Sequence, residues 1–537
     1  MTNSTGASFR QILTGGGFHY GAELVTTRGL PSVGSAGDAA ALAGALLADP
    51  RIGWISITDS PGGIPMLPPD WLARPLASQR GRIVLHMTCK DQNRNGLEAA
   101  AWRYAAEGFE NVLAMTGDYP TTGFGGTAGG VFDLDSVGLI SLLAAMNAGL
   151  RVPGRRGDLE TLPKTDFFIG CAVSPFKRYE RELLPQYFKL MRKLAAGARW
   201  VITQLGYDMR KFHEVKLMLA SRGVTDVPVV GNVYLLSKGV AKLFHGGKLA
   251  GCVVSDDLLA TVEKYAAGPD KGCGFCRELA AKQLAVFKGL GFAAGYLGGI
   301  TKAETFAEII DLAENYGPND WRDFIREIRF SQPDEFFLFE HDPRIGLSEP
   351  TRINPEYRKS LEHPRRPKDV TLGYRFSRLV HRWFFARGQG FYGLMVRVFR
   401  RWDKKPGVAA RLALAAENVS KRLIYGCREC GDCSLPDCAY LCPRHACSKG
   451  SRNGPCGGSA DGRCELDDRE CFWARVYQRM KYYGESERML EGPIVFYNAD
   501  LQNTSSWANT YLDRDHHAPD GNSPRPPGEG QGVRGKS

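Results

Sequence analysis

Nine of the fourteen cysteines lie between Cys427 and Cys471, spaced as Cys427-x2-Cys430-x2-Cys433-x4-Cys438-x3-Cys442-Pro443 and then Cys447, Cys456, Cys464 and Cys471. Thiolates at x2 spacing followed by Cys-Pro have the form of a ferredoxin-type [4Fe–4S] site. Pairs at x2 and x4 spacing also suit tetrahedral zinc, which any of the later cysteines can complete. The candidate ligands are a subset of Cys427, Cys430, Cys433, Cys438 and Cys442. Nine thiols exceed one four-ligand site, so two sites, or one site plus spectators, are expected. The N-terminal residues MTNSTGASFRQILTGGG contain no apolar export core, so the cluster reads as a metal site rather than a disulfide framework. The lone pair Cys273-x2-Cys276 opens a helix and reads as structural.

A second set of chemically capable residues occurs where short apolar runs stop. These are Glu23; Thr58-Asp59-Ser60; His86-Met87-Thr88-Cys89; Thr116-Gly117-Asp118-Tyr119-Pro120; Ala172-Val173-Ser174-Pro175; and Thr203-Gln204-Leu205-Gly206-Tyr207-Asp208. Any one group, Asp59 and Ser60 above all, reads equally well as a cap on the next helix. Glu23 alone reads also as a salt-bridged interior charge. A whole ring of such groups at the same end of successive strands points instead to a site.

The elements that carry this ring alternate. Eight β-type runs, at Tyr20–Thr26, Ile52–Thr58, Arg82–Cys89, Asn111–Gly117, Phe167–Pro175, Trp200–Gly206, Pro228–Leu236 and Ala293–Ile300, are separated by stretches of helical period such as Ser136–Ala148 and Glu180–Ala196. Nearly continuous apolar strands between helices imply a parallel sheet covered on its faces. Eight units favour a closed (β/α)8 TIM barrel, whose chemistry sits at the C-terminal strand ends. The chain therefore reads as an α/β protein: a barrel over residues 1–305, a helical connector over 306–421, a small Cys-rich metal-binding domain over 422–495 and a flexible tail over 496–537. Within the connector, 303–330 looks helical and 331–373 meanders. Arg375–Lys421 returns to helix with an aromatic and basic face (Trp383, Phe384, Phe385, Phe391, Tyr392). A helix packed on the barrel with its charges in water is the preferred reading of that face; a membrane-surface helix is the alternative. From Arg514 the chain has no apolar residues to bury and is expected to be disordered.

Hydrophobic residues make up 43% and charged residues 24% of the chain, with a net charge of +11, which is ordinary for a protein with a buried core. The basic residues form no nucleic-acid reader motif, so nucleic acid is not an expected partner. No apolar run is long enough to cross a membrane, and the cytoplasm is the expected location. Assembly into a homo-oligomer is left open.

The strand-end residues resemble those of the methylenetetrahydrofolate reductases. Leu85-His86-Met87-Thr88-Cys89 is similar to that family's third strand and Met115-Thr116-Gly117-Asp118-Tyr119-Pro120 to its GD-x-P turn. Gly197-Ala198-Arg199-Trp200-Val201-Ile202-Thr203-Gln204, followed by Tyr207-Asp208, is similar to its GA-x-x-x-ITQ segment. The run from Cys430-Gly431-Asp432-Cys433 through Arg452-Asn453-Gly454-Pro455-Cys456-Gly457-Gly458 to Cys471-Phe472-Trp473 resembles the C-terminal domain found with these enzymes, in some systems as a separate subunit.

The resemblance implies a bound flavin, FAD or FMN, held by Thr58, His86, Gly117, Asp118, Ala172 and Lys193, with Lys193 placed for phosphate. It implies that Glu23 is a general acid, that Asp118 stands beside the flavin ring and the substrate, and that Gln204 recognises the pterin of folate. The implied reaction interconverts 5,10-methylenetetrahydrofolate and 5-methyltetrahydrofolate by hydride transfer. A carboxylic acid donates a proton to folate N10 near neutral pH only if burial raises its pKa. Two departures from the family pattern are Leu24-Val25-Thr26-Thr27 after the glutamate and Thr116 before the Gly-Asp pair. No Gly-x-Gly-x-x-Gly unit is visible, so the electron donor is NAD(P)H at the flavin face, or a ferredoxin or flavoprotein acting through the Cys-rich domain. Tetrahydrofolate-dependent methyl transfer or demethylation, and a non-catalytic electron-transfer or assembly role, are the competing readings.

Overall fold

The computed structural model describes residues 6–30, 35–154, 158–405 and 407–518. Eight parallel strands, β1 (His19–Leu24), β2 (Ile52–Ile57), β3 (Ile83–Thr88), β4 (Asn111–Met115), β5 (Phe168–Val173), β6 (Trp200–Thr203), β7 (Val229–Tyr234) and β8 (Ala294–Gly298), close in sequence order into a barrel. Closure is direct: His19, Tyr20, Gly21 and Ala22 of β1 pair with Ala294, Gly295, Tyr296 and Leu297 of β8. The expected strands and the expected (β/α)8 class are both present.

Large side chains fill the barrel, and glycines on the strands make the room. Phe9, on a short N-terminal helix, plugs the bottom between Trp54 and Trp200, with ring centroids 4.7 and 5.0 Å away. Trp54 and Trp200 lie flat against the neighbouring strands β1 and β5. A Cβ on Gly21 would sit 2.2 Å from Trp54, and one on Gly170 would sit 2.0 Å from Trp200. Tyr296 stacks on Trp54 at 5.2 Å and carries its hydroxyl up towards the strand ends.

After the barrel come helices Ala303–Glu314 and Trp321–Glu327, then an antiparallel pair, Phe339–Asp342 with Leu347–Ile353. The helices expected over Arg375–Lys421 form as Leu372–Val380, Tyr392–Lys404 and Val408–Tyr425, with a wider turn at His381–Phe385. Their main partner is not the barrel, which corrects the preferred reading. Tyr374 and Arg378 reach Arg479 and Glu485, and Phe385 and Phe399 pack on Tyr511.

The Cys-rich segment sits on the barrel itself. Helix Phe472–Tyr482 packs along helix Glu180–Ala195, where Tyr477 and Lys481 each bond Glu180 at 2.5 Å. The flexible tail expected over 496–537 needs correction too. Helix Ser506–Tyr511 is folded, and Asp515 and His516 are buried. His516 Nδ1 contacts Asp432, and its Nε2 lies 3.1 Å from Asp437. Two carboxylates replace the apolar anchor that the tail lacks. Residues 519–537 of that expected tail lie outside the described residues.

Candidate functional site at the barrel mouth

On the β1 side of the mouth, Glu23 is half-buried and accepts a hydrogen bond from the Tyr296 hydroxyl at 3.0 Å. Tyr296 also bonds Ser56 Oγ at 2.5 Å, and Ser56 meets His86 Nε2 at 3.2 Å. Four side chains from β1, β8, β2 and β3 thus form one relay across the interior. Burial raises the Glu23 pKa, and the tyrosine bond opposes it in part. Burial pushes His86 down to about 3, so it is neutral. The glycine at position 298 leaves the carboxyl its space, since a Cβ there would lie 3.0 Å from Glu23 Oε1.

On the β4 side, Gly117 turns at φ +87, and a Cβ there would stand 2.9 Å from Thr88 Cβ, so the turn needs glycine. It presents Asp118, which accepts the Gly62 N–H at 2.7 Å. Burial raises the Asp118 pKa, and Lys449 works against the rise. Asp59 does not cap a helix. It accepts the Thr88 N–H at 2.9 Å and the Thr88 hydroxyl at 2.7 Å, tying β2 to β3.

The remaining sequence candidates are less open. Lys193 is buried, and its ammonium donates to the Ala172 carbonyl at 2.6 Å; burial lowers its pKa to about 8. Gln204 accepts the N–H of its neighbour Leu205 at 3.0 Å. A Cβ on Gly251 would lie 3.2 Å from both Gln204 Nε2 and the Gly457 carbonyl, so that amide faces the Cys-rich segment.

That segment caps the mouth. Lys177 donates to the Gly457 carbonyl at 2.5 Å and also bonds the Ser459 carbonyl. Lys449 reaches across to donate to the Gly117 carbonyl at 2.8 Å and pairs with Glu465 at 2.5 Å. Burial works against the Lys449 charge, and Cys456, Glu465 and Asp118 outweigh it. Further out, Asp135 accepts the Asn453 N–H at 2.9 Å and the Ser451 hydroxyl at 3.1 Å. A cavity of about 240 Å³ remains between mouth and cap, lined by Asp118, Tyr119, Lys177, Cys252 and Glu465 among others. Lys449, Glu465, Lys177, Ser56 and Tyr296 were not singled out from sequence. The two strand residues sit mid-run, where periodicity marks only burial. Nothing local ties Lys449 to a turn 332 residues earlier.

The buried polar atoms without a hydrogen-bond partner among the described residues include Thr58 Oγ1, Ser174 Oγ, Asn232 Oδ1 and Gln186 Nε2. Orphaned buried polar atoms are uncommon and fit the edge of a polar ligand. Thr58 Oγ1, at a strand end like Asp118 and neutral His86, is a group that would fit the polar edge of a flavin.

The cysteines fall into two neighbourhoods. Burial raises the thiol pKa values of Cys427, Cys433 and Cys442, and their own charges with that of Cys430 add to the rise. Cys447, Cys464 and Cys471 are raised in the same way, by burial and then by the neighbouring Cys456. A short hairpin brings Cys464 and Cys471 together, with the Cys471 N–H bonded to the Gly462 carbonyl at 2.8 Å. Cys438 is fully buried in the hydrophobic core beside Ala439 and Leu441.

Two family models match the chain: one described as methylenetetrahydrofolate reductase over residues 53–310, the other as methylene-tetrahydrofolate reductase C terminal over residues 408–498. Glu23 lies before the first match, so its place rests on the geometry of β1. Among solved structures, the chain is similar to an uncharacterized protein from Clostridium thermocellum described as binding two copies of 5-methyl-5,6,7,8-tetrahydrofolic acid. The identity is 11% over 57% of this chain and 97% of that one, at a TM-score of 0.41. It is also similar to the enoyl reductase domain of MlnA from the macrolactin biosynthesis cluster of Bacillus amyloliquefaciens, at 10% identity over 55% of this chain and 56% of that one, with a TM-score of 0.26.

Proposed function

Because the chain belongs to the methylenetetrahydrofolate reductase family and carries that family's C-terminal domain on the same polypeptide, we propose that it interconverts 5,10-methylene- and 5-methyltetrahydrofolate. The observation that carries this reading is the carboxyl of Glu23, raised in pKa by burial and held by Tyr296 at a barrel mouth where a second buried carboxyl, Asp118, follows another strand.

Reduction requires the five-membered ring bridging N5 and N10 to open, and proton donation at N10 assists opening. Burial moves the Glu23 pKa in the direction an acid needs; it does the same at Asp118, but there Lys449 opposes the rise. Among the described residues no cation hydrogen-bonds Glu23. Asp118 supplies negative charge for the cationic one-carbon unit once the ring has opened. Gln204 offers its amide N–H groups to the pterin. Thr58, His86 and the Gly117 turn would hold a flavin, FAD or FMN, which supplies the hydride chemistry when bound. Lys177 and Lys449 bring positive charge to the same mouth and suit the anionic parts of both molecules. Ordinary ligand pockets measure about 300–1,000 Å³, more than the 240 Å³ present, so flavin and folate together need the Gly457–Asp461 loop to give way.

The two cysteine neighbourhoods suit two metal centres, Cys427, Cys430, Cys433 and Cys442 for one and Cys447, Cys456, Cys464 and Cys471 for the other, with Cys438 left in the core. The x2 spacing of Cys427, Cys430 and Cys433 with the later Cys442-Pro443 has the ferredoxin form and favours iron–sulfur clusters over zinc. Such clusters would pass electrons between a donor protein and the mouth.

The test is a visible spectrum and metal analysis of anaerobically purified protein. We expect flavin absorbance bleached by 5-methyltetrahydrofolate, and about eight irons per chain, as two four-iron clusters require. Cys430→Ser with Cys433→Ser should remove half the iron, and Cys438→Ser none. Flavin that stays oxidised in 5-methyltetrahydrofolate, with an intact artificial-donor reaction, would overturn the folate reading.

A further inference from the structure

Residues 372–425 hold nearly all of the molecule's excess charge. Twelve of them are Lys or Arg and two are Asp or Glu, a net +10 within a chain of net +11. The same stretch carries 12 of the 23 large apolar side chains that stand exposed among the described residues. They are not scattered. Leu372, Phe376, Leu379 and Trp383, at i, i+4, i+7 and i+11, are 50–74% exposed and make one stripe along the helical run. Val408, Leu412, Val419 and Leu423 make a second on helix Val408–Tyr425, 58–82% exposed. Arg375, Arg382, Arg411 and Arg422 flank the two stripes and are exposed as well.

An apolar surface of this extent on a soluble protein marks something that covers it. The chain itself has little to offer: the residues outside the description add only Met1, Val33 and Val533 as large aliphatic side chains. A second copy would set one strongly positive face against another. A soluble acidic protein meets the arginines but must also bring an apolar face of its own. A layer of anionic lipid answers both features. Its phosphates lie at the depth that extended arginines reach, and the acyl boundary beneath accepts Trp, Phe and Leu. A cavity of about 680 Å³, walled by Phe376, Val380, Ile424 and Trp507 together with ionisable groups such as Arg387, Lys421 and Asp437, opens between the same helices and reaches Cys433.

We propose that helices Leu372–Val380 and Val408–Tyr425, with the aromatic turn His381–Phe385, seat this protein on an anionic phospholipid surface. No described helix is long and apolar enough to cross a membrane; this element lies in the interface instead. The proposal stands whether or not the barrel reduces folate.

The test is flotation of the full-length protein with vesicles of phosphatidylcholine alone and of phosphatidylcholine mixed one to one with phosphatidylglycerol. Binding to the mixed vesicles, weakened by high salt and absent with the neutral ones, is expected. Phe376→Glu, Trp383→Glu and Leu423→Glu should each weaken it about tenfold or more, given the apolar area each removes. These side chains face solvent, so gel filtration and circular dichroism should be unchanged. Protein that stays in the soluble fraction with the mixed vesicles overturns the proposal. So does a stable dimer in solution that the same three substitutions dissolve, or an acidic soluble protein whose binding they abolish while vesicle binding persists.

Discussion

The two carboxylates of the barrel mouth are kept in different ways. Among the described residues Glu23 is held by the barrel: its one hydrogen bond there comes from Tyr296, and the relay behind it ends in neutral His86. Asp118 is held partly from outside, since the nearest cation, Lys449, belongs to the Cys-rich segment and is itself claimed by Glu465. A carboxyl that must give a proton is best surrounded by nothing that stabilises its charge. At Asp118 burial raises the pKa as well, but a cation, Lys449, opposes the rise. The barrel provides the first environment with its own strands. For the second it relies on a segment more than 300 residues downstream, so the barrel mouth and the Cys-rich segment share a wall.

The largest effect expected from breaking this contrast is at Glu23. Glu23→Gln should slow the folate half-reaction by about 10²–10⁴-fold, the range that a positioned acid supplies, and leave reduction of the flavin by its donor nearly unchanged. Stopped-flow measurement of both half-reactions checks it; equal slowing of the two would show that Glu23 is structural. Stability should move the other way. The folded-state pKa of Glu23 is raised above its ordinary value of 4.5. Above pH 4.5 the unfolded chain loses a proton that the folded chain keeps, and this opposes folding increasingly until the folded pKa is passed. Glutamine has no such proton, so the variant should melt higher than wild type at neutral pH, with the difference vanishing below pH 4.5.

On the other side of the mouth the expected effect is smaller and divisible. Lys449→Met leaves Glu465 buried without its partner, a change that typically costs about 3–5 kcal/mol, so the melting temperature should fall. Adding Glu465→Gln should restore most of that loss. If Lys449 acts on Asp118 only through the fold, the double variant should also recover folate activity. If the charge itself serves Asp118, the double variant should remain about tenfold slower in the folate half-reaction, a coupling of about 1.4 kcal/mol. Gln204→Ala should be milder still, weakening folate binding about fivefold for the loss of about one hydrogen bond, with flavin reduction untouched. Titration of the oxidised enzyme with folate would check that.

How far the sequence foresaw this depends on how local the cause is. The eight strands follow from short-range apolar pattern, and the polar residues near their ends follow from where that pattern stops, so the positions of Glu23, Thr58, His86, Asp118 and Gln204 are legible, while their proposed roles rest on the resemblance. Tyr296 and Ser56 were not, because inside a fully buried strand a hydroxyl that serves a relay looks like any interior residue. Lys449 and Glu465 were hidden for another reason: only docking of the module brings them to Gly117 and Asp118. The tail erred in the opposite direction. Asp515-His516-His517 lacks apolar residues, yet two aspartates of the Cys-rich segment hold it: burial works against the His516 charge, and Asp432 and Asp437 outweigh it and raise its pKa to about 10. Composition counts the absence of a hydrophobic anchor and does not see an ionic one. The face over Trp383 to Tyr392 shows a third limit. Periodicity finds an apolar stripe but does not say what lies against it.

The smallest effect, and the one that separates the two sides most cleanly, is expected at Tyr296. Tyr296→Phe keeps the ring that stacks on Trp54 and removes only the hydroxyl shared by Glu23 and Ser56. That hydroxyl donates to Glu23 and favours its charged form, so it holds the pKa below where burial alone would put it. Without it the pKa rises further. The folate half-reaction needs Glu23 protonated, so its rate falls as pH rises through that pKa. In Tyr296→Phe the falling limb should shift to higher pH, while the plateau at low pH changes by no more than a few-fold. The pH profile of Asp118→Asn, by contrast, should keep the limb where it is and lower the whole curve, because Asp118 contributes charge rather than the proton. A limb that stays put in Tyr296→Phe would place the titrating proton elsewhere than on Glu23. A limb that moves in Asp118→Asn would mean that the two sides of the mouth titrate as one unit.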